Sequence, residues 1–119
     1  MAYILVVDDS NSDAFHVTKI LMSEGHTVDH QKDAKAGIEA ALATKPDIIL
    51  MDILMPEMNG YEAISKIREG LGELVIPIII CTGREDFFEP EFAETSGAIG
   101  LLNKPARKEE LLEAVLNAN

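Results

Sequence analysis

The chain has 119 residues, 47% of them hydrophobic and 26% charged, which is enough for one domain with its own core and too few for two. Its 21 acidic residues against 10 basic ones give a formal charge of −11, which repels nucleic acid and anionic lipid at long range and argues against either as a partner. The single cysteine, Cys81, excludes an internal disulfide, and no apolar run approaches the roughly 20 residues of a membrane span. Tyr3 to Val7 is short, β-branched and nearly all apolar, as in a strand covered on both faces, and Asp8 and Asp9 follow at once. A start of this kind is not a signal peptide, so a cytoplasmic protein is expected.

Ser10 and Asn11 are cap-type residues and open a helix to about Glu24, with Ala14, Val17, Ile20 and Leu21 at spacings of three and four and Gly25 as its stop. A more polar strand is expected over Thr27 to Gln31, a helix over Ala34 to Ala43 and, after Pro46, a buried strand over Asp47 to Met51. Pro56 and Asn59-Gly60 mark a loop beyond Asp52, before a helix from about Tyr61 to Glu69. Pro77 leads into a strand over Ile78 to Cys81. A short helix is expected within Arg84 to Ser96, starting near Pro90 because proline fits a first turn and not a helix interior. Ile99 to Leu102 reads as a strand and Lys108 to Leu116 as a last helix with Leu111, Leu112 and Val115 inward. Strict alternation of strand and helix implies an α/β domain with a parallel sheet and helices on both faces.

The residues just past the carboxyl ends of these strands are Asp8 and Asp9, then Asp52, Thr82 and Lys104. Ligands of open α/β sheets bind at those ends. Three carboxylates that repel one another attract a cation, and Mg²⁺ takes oxygen ligands of this kind. A carboxylate is also a covalent nucleophile for phosphoryl transfer, and an ammonium and a hydroxyl are donors to phosphoryl oxygens.

The runs Ile4-Leu5-Val6-Val7-Asp8-Asp9-Ser10 and Pro46-Asp47-Ile48-Ile49-Leu50-Met51-Asp52 are followed by Met55-Pro56, Asn59-Gly60, Gly97-Ala98 and Lys104-Pro105. In order and separation this set resembles the response-regulator receiver family, in particular its single-domain, chemotaxis-type (CheY-like) members. The likeness spans essentially residues 1–119 as one receiver domain. It implies a flavodoxin-like, doubly wound fold with a five-stranded parallel sheet in the order 2-1-3-4-5. It implies a two-component signalling protein and no enzyme in the usual sense. Asp52 would accept a phosphoryl group from a sensor histidine kinase or phosphotransfer protein, and a downstream target protein would read the change. Mg²⁺, with Mn²⁺ as a substitute, would be held by Asp9, Asp52 and the carbonyl of Leu54, with Asp8 acting through water. Thr82 and Lys104 would engage the phosphoryl group, and Lys104-Pro105 would be a cis peptide bond. A monomer or weak dimer is expected.

Two positions depart from the family's pattern. Leu101 stands where an aromatic switch residue is usual, leaving Thr82 and backbone shifts to carry a response, and Pro90 falls where the family's fourth helix runs. Leu54 and Arg84, two residues beyond Asp52 and Thr82, are expected to hinder the hydrolytic water and prolong the phosphorylated state. Cys81 is expected in the core, while His16, His26 and His30 form no metal-ligand grouping. Phe87, Phe88 and Phe92 suit either packing of the short helix or a docking patch. One alternative is a small Mg²⁺-dependent aspartyl phosphatase, which would want a second Asp where Leu54 stands. Another is a receiver fragment of a longer regulator. A flavin binder is disfavoured because Asp8 and Asp9 would repel the cofactor phosphate.

Overall fold

The structure, a computed structural model, describes residues 1–83, 91 and 96–118. Five strands, β1 (Tyr3–Val7), β2 (Thr27–Gln31), β3 (Ile48–Asp52), β4 (Ile78–Thr82) and β5 (Gly100–Asn103), pair in parallel in the order β2-β1-β3-β4-β5. The expected α/β fold and strand order are both observed. Four helices are described: α1 (Asn11–Ser23), α2 (Ala34–Thr44), α3 (Gly60–Leu71) and α4 (Lys108–Ala118). The helix expected within Arg84 to Ser96 lies outside the described residues, as do Arg84, Pro90 and the three phenylalanines, Phe87, Phe88 and Phe92.

Period-two alternation along the strands divides the core into two layers. Ile4, Val6, Ile48, Leu50, Ile79, Cys81 and Leu102 face α1 and α4, meeting Ala14, Val17 and Leu21 from one helix and Leu111 and Val115 from the other. Leu5, Val7, Ile49, Met51, Ile78 and Ile80 face α2 and α3, meeting Ala34, Ala41, Ala63, Ile64 and Ile67. β1, β3 and β4 therefore read as continuous apolar runs because both of their faces are covered.

The limits of β1 and β2 are as expected from the sequence, and those of β3, β4 and β5 differ by one residue. Asp47 does not start β3: it is exposed, its N–H donates to Tyr3 O at 2.8 Å, and its carboxylate accepts from Tyr3 N–H at 2.7 Å. Its own side chain closes the entry to the sheet. At the other end the ladder runs on through Asp52, which lies opposite Cys81, so the acid is the last residue of β3 and not the first residue after it. Thr82 likewise ends β4 opposite Asn103, and β5 begins at Gly100, not at the half-exposed Ile99.

Asn59-Gly60, a turn signal in the sequence, is a helix cap in the fold. The Asn59 side chain accepts from Glu62 N–H at 2.9 Å while Glu62 accepts from Asn59 N–H at 3.3 Å, a reciprocal capping box. Gly60 then donates its N–H to Ile53 O at 2.7 Å, and a Cβ there would run into the backbone carbonyl of Asp52. The α3 N-terminus is thus packed directly on the backbone that carries Asp52. Gly60→Ala is expected to lower stability by about 1–3 kcal/mol through this overlap, read as a drop in the urea midpoint. An unchanged midpoint would show that the close approach is unnecessary.

Arg68, further along α3, ties the sheet entry together through backbone carbonyls. Its guanidinium donates to Ser96 O at 3.0 Å, Ile76 O at 3.3 Å and Gly97 O at 3.2 Å.

Candidate functional site

The register of the sheet assembles the site before any side chain is considered. Val7 pairs with Met51, so Asp8, the residue after β1, emerges beside Asp52 at the point where strand order reverses. Asp52 pairs with Cys81, which places Thr82 one residue further along β4, and Thr82 O accepts from Lys104 N–H at 2.9 Å. The Lys104–Pro105 peptide bond is cis. Asp8, Asp52 and Thr82 are the buried polar residues of the molecule among those described, at 5%, 5% and 2% exposure.

One oxygen each from Asp8, Asp9 and Asp52 lie within 4.8 Å of one another. Asp9, the exposed member, opens the cluster to solvent. A set of hard carboxylate oxygens, two buried and one reachable, fits a divalent cation that keeps several waters. The Lys104 ammonium lies among them, 2.8 Å from Asp8 Oδ2, 3.3 Å from Asp52 Oδ1 and 3.3 Å from Asp13 Oδ2. Burial, and next the charge of Asp8, push the Asp52 carboxyl up to about 7 against the lowering effect of Lys104. Burial alone would pull the lysine down. The hydrogen bond to Asp8 and the charges of Asp52, Asp8 and Asp13 outweigh it and hold the ammonium above its ordinary value. The site therefore keeps a permanent cation beside a carboxylate that is only partly ionised near neutrality.

The response regulator receiver domain family model matches residues 4–116. The chain belongs to that family. Among curated relatives, it is 35% identical to the protein PilH of Pseudomonas aeruginosa over 115 residues, covering 97% of this chain and 95% of that one. It is 33% identical to the response regulator ArlR of Staphylococcus epidermidis, covering 97% of this chain and 51% of ArlR, so it spans about half the length of that relative. Among solved structures, the chemotaxis protein CheY4 of Vibrio cholerae superposes with a TM-score of 0.89 at 30% identity, over 100% of this chain and 99% of that one. The protein is a receiver domain of two-component response regulators, a signalling module.

In this receiver the structure gathers Asp8, Asp9, Asp52 and Lys104 at one point, as the sequence suggested. Thr82 is buried at the neighbouring strand end. The Leu54 side chain is 43% exposed beyond the site, and Leu101, where an aromatic residue is usual, is 41% exposed. Arg84 lies outside the described residues. Cys81 is in the core, and burial pushes its thiol up to about 12, so it carries no nucleophile.

Several neighbours of the site escaped the sequence reading. Asp13, in the first turn of α1, reaches Lys104, and Ser10 links the two acidic segments: its N–H donates to Asp8 Oδ1 at 2.9 Å and its hydroxyl caps Asp13 N–H at 3.3 Å. His30 Nε2 lies 2.8 Å from Asp8 O and His16 Nε2 2.7 Å from Ala106 O, so both rings serve backbone carbonyls. His26 Nδ1 accepts from Ala2 N–H at 3.0 Å. Among the described residues no helix is long and apolar enough to cross a membrane.

Proposed function

We propose that residues 1–119 form one receiver domain in which Asp52 is the phosphoacceptor, served by Mg²⁺, Lys104 and Thr82. The observation that carries this reading is the placement of Asp52: a buried carboxylate at a strand end, next to two further acids and 3.3 Å from a lysine ammonium. Asp8, Asp9 and Asp52, with the Leu54 carbonyl, would hold the cation, which supplies charge masking between the two anions that must meet. A carboxylate oxygen of Asp52 attacks the phosphorus of a phosphohistidine on a sensor kinase or phosphotransfer protein. The new O–P bond forms as the P–N bond breaks, and the departing imidazole takes a proton. Lys104 neutralises one phosphoryl oxygen and Thr82 donates its hydroxyl to another. The acyl phosphate carries close to two negative charges in place of the single charge of the Asp52 carboxylate, and spreads them over phosphoryl oxygens where Lys104 now bridges carboxylates; the rearranged surface is read by a target protein in the cytoplasm. Slow hydrolysis at the same site resets the switch.

The test is incubation with Mg²⁺ and acetyl phosphate followed by intact mass. Gain of a single phosphoryl group is expected, lost in Asp52→Asn and lost when the metal is chelated. A labelled Asp52→Asn protein would end the assignment. Leu54, two residues beyond Asp52 and 43% exposed, would hinder the hydrolytic water at the acyl phosphate. Leu54→Asn is therefore expected to shorten its lifetime severalfold in the same assay, and an unchanged lifetime would remove Leu54 from the account.

A further inference from the structure

Lys104 Nζ is surrounded by three carboxylates at once: Asp8 at 2.8 Å, Asp13 at 3.3 Å and Asp52 at 3.3 Å. An ammonium has three donors, so all three contacts can be made together. The partners differ in kind. Asp8 and Asp52 belong to the acidic cluster that fits a divalent cation, together with Asp9, whereas Asp13 does not. Any cation that enters the cluster competes with Lys104 for Asp8 and Asp52 and leaves Asp13 untouched. Asp13 is also the partner most open to water, with 38% of its side chain exposed against 7% for Asp8 and 6% for Asp52.

The backbone that carries Asp13 is fixed independently of Lys104. The Ser10 hydroxyl accepts from Asp13 N–H at 3.3 Å, and Ser10 N–H donates to Asp8 Oδ1 at 2.9 Å. The cap that starts α1 therefore sets Asp13 at a defined distance from the acidic cluster. Among the described residues, a lysine on a flexible four-carbon stem has no other ion-pair partner to hold it over Asp52 once its two buried partners are taken. We infer that Asp13 is a positioning residue for Lys104, holding the ammonium over Asp52 when a divalent cation has drawn off Asp8 and Asp52. The inference rests on Asp52 as phosphoacceptor and extends that reading to a residue outside the metal cluster. Because Nζ lies equally far from Asp13 and Asp52, the ammonium can keep its bond to Asp13 while donating to a phosphoryl oxygen on Asp52.

The dull alternative is that Asp13 only favours the positive end of α1 or adds to the general negative field. The two roles predict opposite signs. Acetyl phosphate is an anion, so removing a nearby negative charge speeds its approach if the field is all that matters. Loss of a lysine anchor slows the reaction. The experiment measures labelling of Asp52 by acetyl phosphate at saturating Mg²⁺ in the parent, Asp13→Asn and Asp13→Glu, each with Lys104 intact and with Lys104→Met. With Lys104 present, Asp13→Asn is expected to label about three- to tenfold more slowly, as suits one partly exposed charge-assisted hydrogen bond, and Asp13→Glu to regain most of the rate. In the Lys104→Met background the same substitution is expected to change the rate less than about twofold. Should labelling in that background be too slow to follow, thermal melts at saturating Mg²⁺ give the same answer: Asp13→Asn lowers Tm only when Lys104 is present. Equal slowing in both backgrounds, a faster Asp13→Asn protein, or a parent-like rate would each overturn the role of Asp13. A parent protein that fails to label at all would instead bring down the phosphoacceptor reading on which it stands.

Discussion

Asp52→Asn is expected to stabilise the metal-free protein by on the order of 2–4 kcal/mol at about pH 8, and the gain is expected to vanish as pH falls towards about 4. The cause is the carboxyl pushed up from 3.8 to about 7 by burial and by the neighbouring charge of Asp8. Between those two values the folded protein holds a proton on Asp52 that the unfolded chain has already released. Stability rises with pH only where the unfolded state binds more protons, so here it falls as pH rises through that window. Below the window the parent keeps Asp52 neutral in both states and loses nothing. Above it the full cost of a buried, partly repelled anion is present, roughly 1.36 kcal/mol for every pH unit that separates the folded and unfolded titrations. Asparagine fills the same space without that charge. Urea melts of parent and variant across this pH range, with chelator present, check the claim. A variant less stable than the parent at the alkaline end would show that Lys104 already compensates Asp52 in full.

The fold was legible because the apolar runs Ile4 to Val7, Ile48 to Met51 and Ile78 to Cys81 alternate with helical stripes such as Ala14, Val17 and Leu21, and only a parallel sheet covered on both faces satisfies such a pattern. The meeting of Asp8, Asp9, Asp52 and Lys104 was legible because strand ends in this architecture are ligand positions, and polar residues stood there after buried runs. What stayed hidden is contact between side chains and remote partners. Asp13 is one acid among 21, and in the sequence it reads as an ordinary first-turn residue of α1. Only the folded approach of the loop after β5 to α1 brings Lys104 to it. His30, His16 and Arg68 serve backbone carbonyls, which every residue possesses, so no residue type in the chain announces them as partners. Gly60 reads in the sequence as half of a turn signal, because the need for an absent Cβ comes from the Asp52 carbonyl packed against it. The one-residue errors at the carboxyl ends of β3 and β4 arose because hydropathy ends a strand at its last apolar residue, while the ladder continues through Asp52 and Thr82.

Lys104→Met should have the opposite effect to Asp52→Asn, and the two together test whether the lysine stands in for the cation. Its ammonium bridges Asp8 and Asp52, whose side chains are 7% and 6% exposed, so its removal leaves two buried carboxylates facing each other without that counter-charge. Breaking a buried pair by deleting one partner costs about 3–5 kcal/mol, and that loss is expected at about pH 8 in the absence of divalent metal. The loss should shrink towards about pH 5, where Asp52 takes up a proton and the repulsion falls. Mg²⁺ then discriminates between the two sources of positive charge. In the parent, a cation entering the cluster displaces Lys104 from two of its partners, which offsets part of the binding energy. In Lys104→Met nothing is displaced, so the same cluster binds the metal more tightly. Binding to the folded state stabilises by RT ln(1 + [L]/Kd), about 2.7 kcal/mol at a hundredfold excess over Kd, so tighter binding appears directly as a larger shift in Tm. Thermal melts with increasing MgCl₂ should therefore show the variant starting lower and gaining more than the parent. Equal gains would mean that lysine and metal do not compete for Asp8 and Asp52, and that the cation, if held at all, sits elsewhere.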